Sequence, residues 1–312
     1  MEKSLPLWGR MKGTAMKSIT DTAISRRQAI ALGASAFATL GLAACGSSNS
    51  SDSGSSSKKS GGVKSLTHTE GKLTVATGNP AYTPWVIDDK PQTGKGFEAA
   101  LIYALADEMG FAKKDVKWVR TTFDEAYAPG EHDWDLNIQQ VSINSDRKKA
   151  VDFSPAYFRP TQAVVLQKSS KYASATKCSD LADANIAVMV GTTAYDYVKD
   201  IIKGGKDEGI SIFDDNSAAA QAVTSGQCDA LVTDTPQAVY MVQSKQIDDG
   251  LVVGQIPGTE DKKGLGITLA KNSPLTKYVK KAMNALIKDG TVKKLQDKWL
   301  AEYTTDIPTL KK

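Results

Sequence analysis

A chain of 312 residues is long enough for two domains of ordinary size, and a hydrophobic content of 41% excludes wholesale disorder. The formal charge of +4 is confined to the first 44 residues, where Lys3, Arg10, Lys12, Lys17, Arg26 and Arg27 are set against only Glu2 and Asp21. The remaining body is neutral, so nothing in its electrostatics points to nucleic acid as a partner.

Taken from the start of the chain, the basic residues precede an apolar run from Ala29 to Ala44 that ends in Leu42-Ala43-Ala44-Cys45. The order of positive region, apolar region and small residues is that of an export signal. The run is shorter than the ~20 residues a spanning helix needs, which argues against a retained transmembrane segment. Its last four residues resemble the lipobox of bacterial lipoproteins. That resemblance implies a signal peptide over 1–44 and acylation of Cys45, which would anchor the mature chain to the cell membrane. Ser25-Arg26-Arg27-Gln28 is also similar to a twin-arginine export motif, although Ala29 stands where a larger apolar residue is expected, so both export routes stay open. Residues 45–65 are dominated by Ser, Gly and Lys and read as a flexible tether. Beyond Cys45 only Cys178 and Cys228 remain. In an exported protein two spare thiols often pair, so a Cys178–Cys228 disulfide is expected, the alternative being two buried thiols.

From Leu66 onward short β-rich runs alternate with helical periodicity. Leu73 to Ala76 reads as a strand, and Phe97, Ala100, Leu101, Ala104, Leu105 and Met109 recur at helical spacing. Further strands are expected at Val116–Val119, Leu136–Ile138, Ala163–Leu166, Ile186–Val190, Ile210–Phe213, Ala230–Val232 and Leu265–Leu269, with helical stretches between most of them. Two helices, Leu275–Asp289 and Thr291–Leu300, are expected at the end of the chain, with Gly290 as the C-cap between them. The pattern is α/β. Two strands run directly into helix-start chemistry, at Gly191-Thr192-Thr193 and at Asp234-Thr235-Pro236. Ligands bind at such carboxyl ends in open α/β sheets because helix N-termini leave N–H groups free, though simple capping by Thr and Asp would give the same residues.

Most enzyme signatures are missing: there is no H-E-x-x-H, paired C-x-x-C, G-x-S-x-G or phosphate loop. No metal or cofactor is expected. The informative block runs from Asp135 to Ser154 and contains Ser142, then Asp146-Arg147, then Asp152-Phe153-Ser154. It resembles the polar amino-acid binding proteins of ABC importers, the family-3 bacterial solute-binding proteins. Asn79 to Trp85, Gly96-Phe97-Glu98, Gly191-Thr192-Thr193, Cys228 to Asp234 and Asp289 to Leu300 follow in that family's order.

The resemblance implies a two-lobed fold of the type II periplasmic-binding-protein kind with two crossover hinge strands, near Phe158–Gln162 and Lys262–Gly266. The lobes would divide as 66–160 and 264–312 in the first and 161–263 in the second. A monomeric, non-enzymatic receptor is implied that hands a free amino acid to a membrane permease of an ABC importer, the alternatives being a dehydratase-like enzyme or a signalling lipoprotein on the same fold. Arg147 would grip the ligand's α-carboxylate, and its alternative is a solvated side chain in a basic run with Lys148 and Lys149. Ser142 and Thr192 would add contacts, with Thr193 beside them, and Asp234 would meet the α-ammonium. Tyr82 and Phe123 would wall the ligand's side chain, unless they are core aromatics. Gln140 replaces a small residue common at its position and could bond a polar side chain. Asn79 stands where relatives that take cationic side chains often carry an acid. Glu98 fits a polarity-driven helix start with no ligand role.

Overall fold

The computed structural model describes residues 62–312. The expected signal peptide, Cys45 and most of the tether lie outside the described residues. Val63 and Leu66, around the tether's expected end, already pack against a hydrophobic core, so the folded body begins slightly earlier than 66.

The first lobe opens with β1 (Leu73–Gly78), α1 (Phe97–Glu108), β2 (Val116–Thr121), β3 (Leu136–Asn137), the one-turn α2 (Arg147–Ala150) and β4 (Val151–Phe153). The second lobe holds β5 (Gln162–Gln167), β6 (Ile186–Met189), α3 (Ala194–Tyr197), β7 (Ile210–Phe213), α4 (Asn216–Thr224), β8 (Ala230–Asp234), α5 (Thr235–Gln243) and β9 (Gly250–Gln255). The chain then returns to the first lobe through β10 (Thr268–Ala270), α6 (Thr276–Lys288) and α7 (Thr291–Trp299). Two five-stranded mixed sheets result, ordered β2-β1-β3-β10-β4 and β7-β6-β8-β5-β9.

β1 is buried along its whole length because it lies between parallel neighbours β2 and β3 with packing on both faces, and its run Leu-Thr-Val-Ala-Thr-Gly correspondingly carries no charged residue. α6 instead buries one stripe, Val279, Ala282, Met283 and Leu286, at helical spacing. Those side chains join Leu101, Leu105 and Leu136 in the first-lobe core. Burying each large aliphatic of this kind contributes about 1.5–3 kcal/mol. Gly290 takes φ +80° between α6 and α7, where a Cβ would be strained.

The expected disulfide is absent. Both cysteines are buried free thiols, and they sit in different cores of the second lobe. Along β5, Val164 and Leu166 point into the core that holds Cys178, while Ala163 and Val165 point into the one that holds Cys228. Successive side chains of a strand face opposite sides of the sheet, so the two sulfurs are separated by the sheet itself, whereas a disulfide needs Cβ atoms ~3.8 Å apart.

The two segments expected as crossovers, near Phe158–Gln162 and Lys262–Gly266, run side by side. Phe158 and Leu265 form an antiparallel bridge, Leu265 N–H donates to Phe158 O at 2.8 Å, and Asp261 N–H donates to Pro160 O at 3.1 Å. The strand expected over Leu265–Leu269 is displaced to Thr268–Ala270 because Leu265 is occupied in this crossover pairing. The end of the chain departs from the expected division at 264–312. Leu310 N–H donates to Gln255 O at 2.9 Å, and its side chain enters the second-lobe core, so the last residues cover β9 rather than the first lobe. No helix among the described residues is long and apolar enough to cross a membrane.

Candidate functional site

A cleft of about 210 Å³ opens between the lobes, well beyond the ~10–15 Å³ that one water occupies by the same measure. Its walls come from the carboxyl ends of β1, β2 and β3 on one side and of β6, β7 and β8 on the other. All eight residues expected at a ligand site line it. Tyr82, Phe123, Gln140, Ser142 and Arg147 come from the first lobe, and Thr192, Thr193 and Asp234 from the second.

Arg147 opens α2 and is 7% exposed, so the solvated reading of this residue does not hold. Asn144 Oδ1 accepts its backbone N–H at 2.8 Å, which fixes the turn. Nη1 donates to Ser142 O at 2.9 Å, and Nη2 reaches across the cleft to Gly191 O at 2.8 Å. The guanidinium lies over the Tyr127 ring, 4.4 Å from its centroid, and 5.4 Å from that of Phe123. These partners aim the fork without neutralising it, and no ion pair among the described residues includes Arg147. Burial pushes its pKa down, opposed by nearby Tyr127, Asp261 and Asp124. A buried cation whose hydrogen bonds go only to neutral oxygens is left short of an anion.

Asp234 is the mirror case. It ends β8 and precedes α5, yet its side chain does not cap that helix. Its carboxylate accepts from Gln162 Nε2, and no described cation pairs with it. Burial raises its pKa to about 7, against the Gln162 hydrogen bond and with the negative Asp261 adding to the rise. Gln162 is its direct partner in the antiparallel β5–β8 register.

The remaining lining residues are held less tightly. Thr192 Oγ1 donates to Met189 O at 2.7 Å, and Thr193 precedes α3 without capping it through its side chain. Tyr82 is half-buried against the first-lobe core, with Ser217 Oγ of the second lobe 3.5 Å from its hydroxyl. Phe123 packs edge-on against Tyr127, centroids 5.5 Å apart, so its inner side is packed and its outer side meets the cleft. Burial and the Asp124 hydrogen bond raise the Tyr127 phenol to about 12.

Gln140 differs from its expected role. It adopts φ +58°, and both its backbone N–H, at 2.9 Å, and its side-chain Nε2 donate to Glu98. Glu98, fully buried at the start of α1, also accepts from Tyr157 Oη. Burial raises Glu98 to about 7, against these hydrogen bonds. The Glu98 carboxyl is therefore a strut joining α1, the turn after β3 and the approach to the crossover, which leaves the Gln140 amide nitrogen committed to the scaffold.

Several lining residues were not expected: Gln162, Gln237, Asp214 and Asp215 among them. Asp214 and Asp215 follow β7 directly, at the same strand-to-helix position that pointed to Thr192 and Asp234, so the same rule reaches them. Gln237 lies three residues after Asp234 on α5, one helical turn away and on the same face. Gln162 carries no local signal, because only the strand pairing brings it to Asp234.

The chain as a whole is similar to known proteins. The L-cystine-binding protein TcyJ of Escherichia coli is 27% identical over 230 residues, 72% of this chain and 81% of its own. A solved ancestral arginine-binding protein bound to glutamine is 32% identical with a TM-score of 0.61, covering 73% of this chain and 97% of its own. The ancestral amino acid-binding protein AncCDT-1, a precursor of cyclohexadienyl dehydratase, is likewise 32% identical with a TM-score of 0.59, over 74% and 95% of the two chains. Residues 73–302 match the model of the bacterial extracellular solute-binding proteins, family 3, and the chain belongs to that family.

Proposed function

We propose that the protein is an extracytoplasmic receptor that binds one free amino acid in the interlobe cleft and delivers it to an ABC importer, held at the membrane by acylated Cys45. One observation carries the reading: a buried guanidinium without an anion and a half-buried carboxylate without a cation line the same small cleft from opposite lobes. A zwitterion satisfies both at once, its α-carboxylate on Arg147 and its α-ammonium on Asp234. Relatives named for cystine, glutamine and arginine binding support the ligand class. The lipobox-like Leu42-Ala43-Ala44-Cys45 supports the anchor.

A thermal-shift screen of the exported protein against the common amino acids tests it. The true ligand at 100 times its dissociation constant stabilises the fold by about 2.7 kcal/mol, and a flat screen would remove the receptor reading. Because a ligand held by both lobes binds their closed arrangement best, closure should be part of binding. The lobes approach closely at Gly191, whose carbonyl accepts from Arg147 across the cleft. It takes φ +70°, and a Cβ there would stand 2.5 Å from Asp124 Oδ1 and against the Tyr127 hydroxyl. Gly191→Ala is expected to weaken ligand binding by roughly tenfold or more, because its Cβ collides with Asp124 and Tyr127 of the other lobe when the lobes are closed. Unaltered affinity by calorimetry would show that closure does not bring these groups together.

A second reading, a dehydratase-like enzyme on this scaffold, is favoured by the Asp234 carboxyl standing near pH 7, where an acid–base group works best. Recovering the bound amino acid unchanged after prolonged incubation supports the receptor. Recovering a converted product supports the enzyme.

A further inference from the structure

We infer that Gln237 and Gln162 read the ligand's side chain, and that the receptor selects a neutral or cationic amino acid whose side chain carries N–H donors; this rests on the amino-acid receptor reading above. Gln237 is 2% exposed and Gln162 5%, and both line the cleft. Neither the oxygen nor the nitrogen of the Gln237 amide has a hydrogen-bond partner, and Gln162 Oε1 has none either. Buried amides are nearly always satisfied and an orphaned one is costly, so this cluster is built for something that enters the cleft.

The polarity of that something follows from the orphans. With the ligand's ammonium holding Asp234 ionised, the Gln162 amide cannot be flipped, because its nitrogen donates to a carboxylate that only accepts. Its free atom is therefore an acceptor. Asn216, also on the wall, leaves Oδ1 unpartnered, so acceptors predominate. Charge points the same way: among the described residues Arg147 is the only cationic side chain on the cleft wall, against Asp214, Asp215 and Asp234. Once a zwitterion has paired Arg147 with Asp234, two carboxylates remain and no cation does. Asp215 spends one oxygen on the Ala218 N–H at the start of α4. An acidic side chain would meet two carboxylates and mostly acceptors, with the Gln237 amide nitrogen as an orphaned donor, whereas an amide, imidazole, guanidinium or ammonium group supplies what most of the orphans lack.

Calorimetry on the protein, stripped of carried-over ligand, with glutamine, histidine, arginine, glutamate and leucine tests this. At least one of the first three should bind, and glutamate should bind at least a hundredfold more weakly. Gln237→Leu, close in shape, should lower affinity for that preferred ligand by about tenfold or more. It should also raise the melting temperature of the unliganded protein, since it removes two orphaned polar atoms. Gln237→Glu keeps the shape and adds a carboxylate, so it should shift preference from glutamine toward arginine even where the Leu variant fails to fold. Preference of the unmutated protein for glutamate or leucine would overturn the inference while leaving the receptor intact. Unchanged affinity and selectivity in both variants would mean that the amide is merely hydrated, and would overturn it too. Failure to bind any amino acid would bring down the receptor reading and this inference with it.

Discussion

Replacing Arg147 by Ala is expected to lower affinity for the amino-acid ligand by a hundredfold to about ten-thousandfold. The guanidinium is aimed by Ser142 O and Gly191 O and flanked by two aromatic rings, so its geometry is set before the ligand arrives. A carboxylate entering that fork gains two charged hydrogen bonds at about 1.5–3 kcal/mol each, roughly 3–6 kcal/mol together, and each 1.4 kcal/mol is tenfold in affinity. Arg147→Lys keeps the charge but loses the planar fork, so its affinity should fall between the two. The fold should survive both changes, because Arg147 belongs to none of the apolar cores and its buried charge has no ionic partner to orphan. Calorimetry with the ligand identified by the screen decides it: full affinity in the Ala variant would mean that the carboxylate binds elsewhere.

Much of this site could be read from the chain because its chemistry lies where local signals lie. Ser142 and Arg147 sit in one short turn, and Thr192 and Asp234 each follow a strand that its β-branched residues announce. Even the crossovers near Phe158 and Leu265 were legible, through the family resemblance rather than through composition. What was not legible depends on pairing between distant segments. Gln162 reaches Asp234 only because β5 and β8 run antiparallel in that register, 72 residues apart. The strand Val151–Phe153 is three residues long and Gly250–Gln255 begins and nearly ends on glycine, so neither stands out by propensity. The cysteines show the same limit: their number and setting suggested a bond, while the sheet between them forbids it. Gln140 and Glu98 exchanged expected importance for a similar reason. A Glu at a helix start is ordinary, and only the fold reveals that it is sealed in and holds the turn carrying Gln140.

Ligand binding should release a proton below about pH 7, and affinity should rise with pH until then. Burial holds the Asp234 carboxyl at about 7, well above its ordinary value of 3.8, so in the unliganded fold it is largely protonated at pH 5–6. An α-ammonium placed against it favours the carboxylate and must expel that proton. Affinity is then expected to fall by up to tenfold per pH unit below about 7, and to level off above it. Titrations at pH 6 in buffers of different ionisation enthalpy would detect the released proton directly. Stability of the unliganded protein should run the other way. A carboxyl with a raised folded pKa binds more protons in the fold than in the unfolded chain, so stability declines as pH rises from about 4 to about 7. Glu98, raised from 4.5 to about 7, adds to that decline but does not line the cleft. The two groups can therefore be separated. Glu98→Gln should flatten the stability profile and leave the pH dependence of binding in place. Asp234→Asn should abolish proton release and weaken binding by about 2–5 kcal/mol, the cost of leaving one member of a buried charge pair alone. Proton release that persists in Asp234→Asn would mean that another group meets the ammonium.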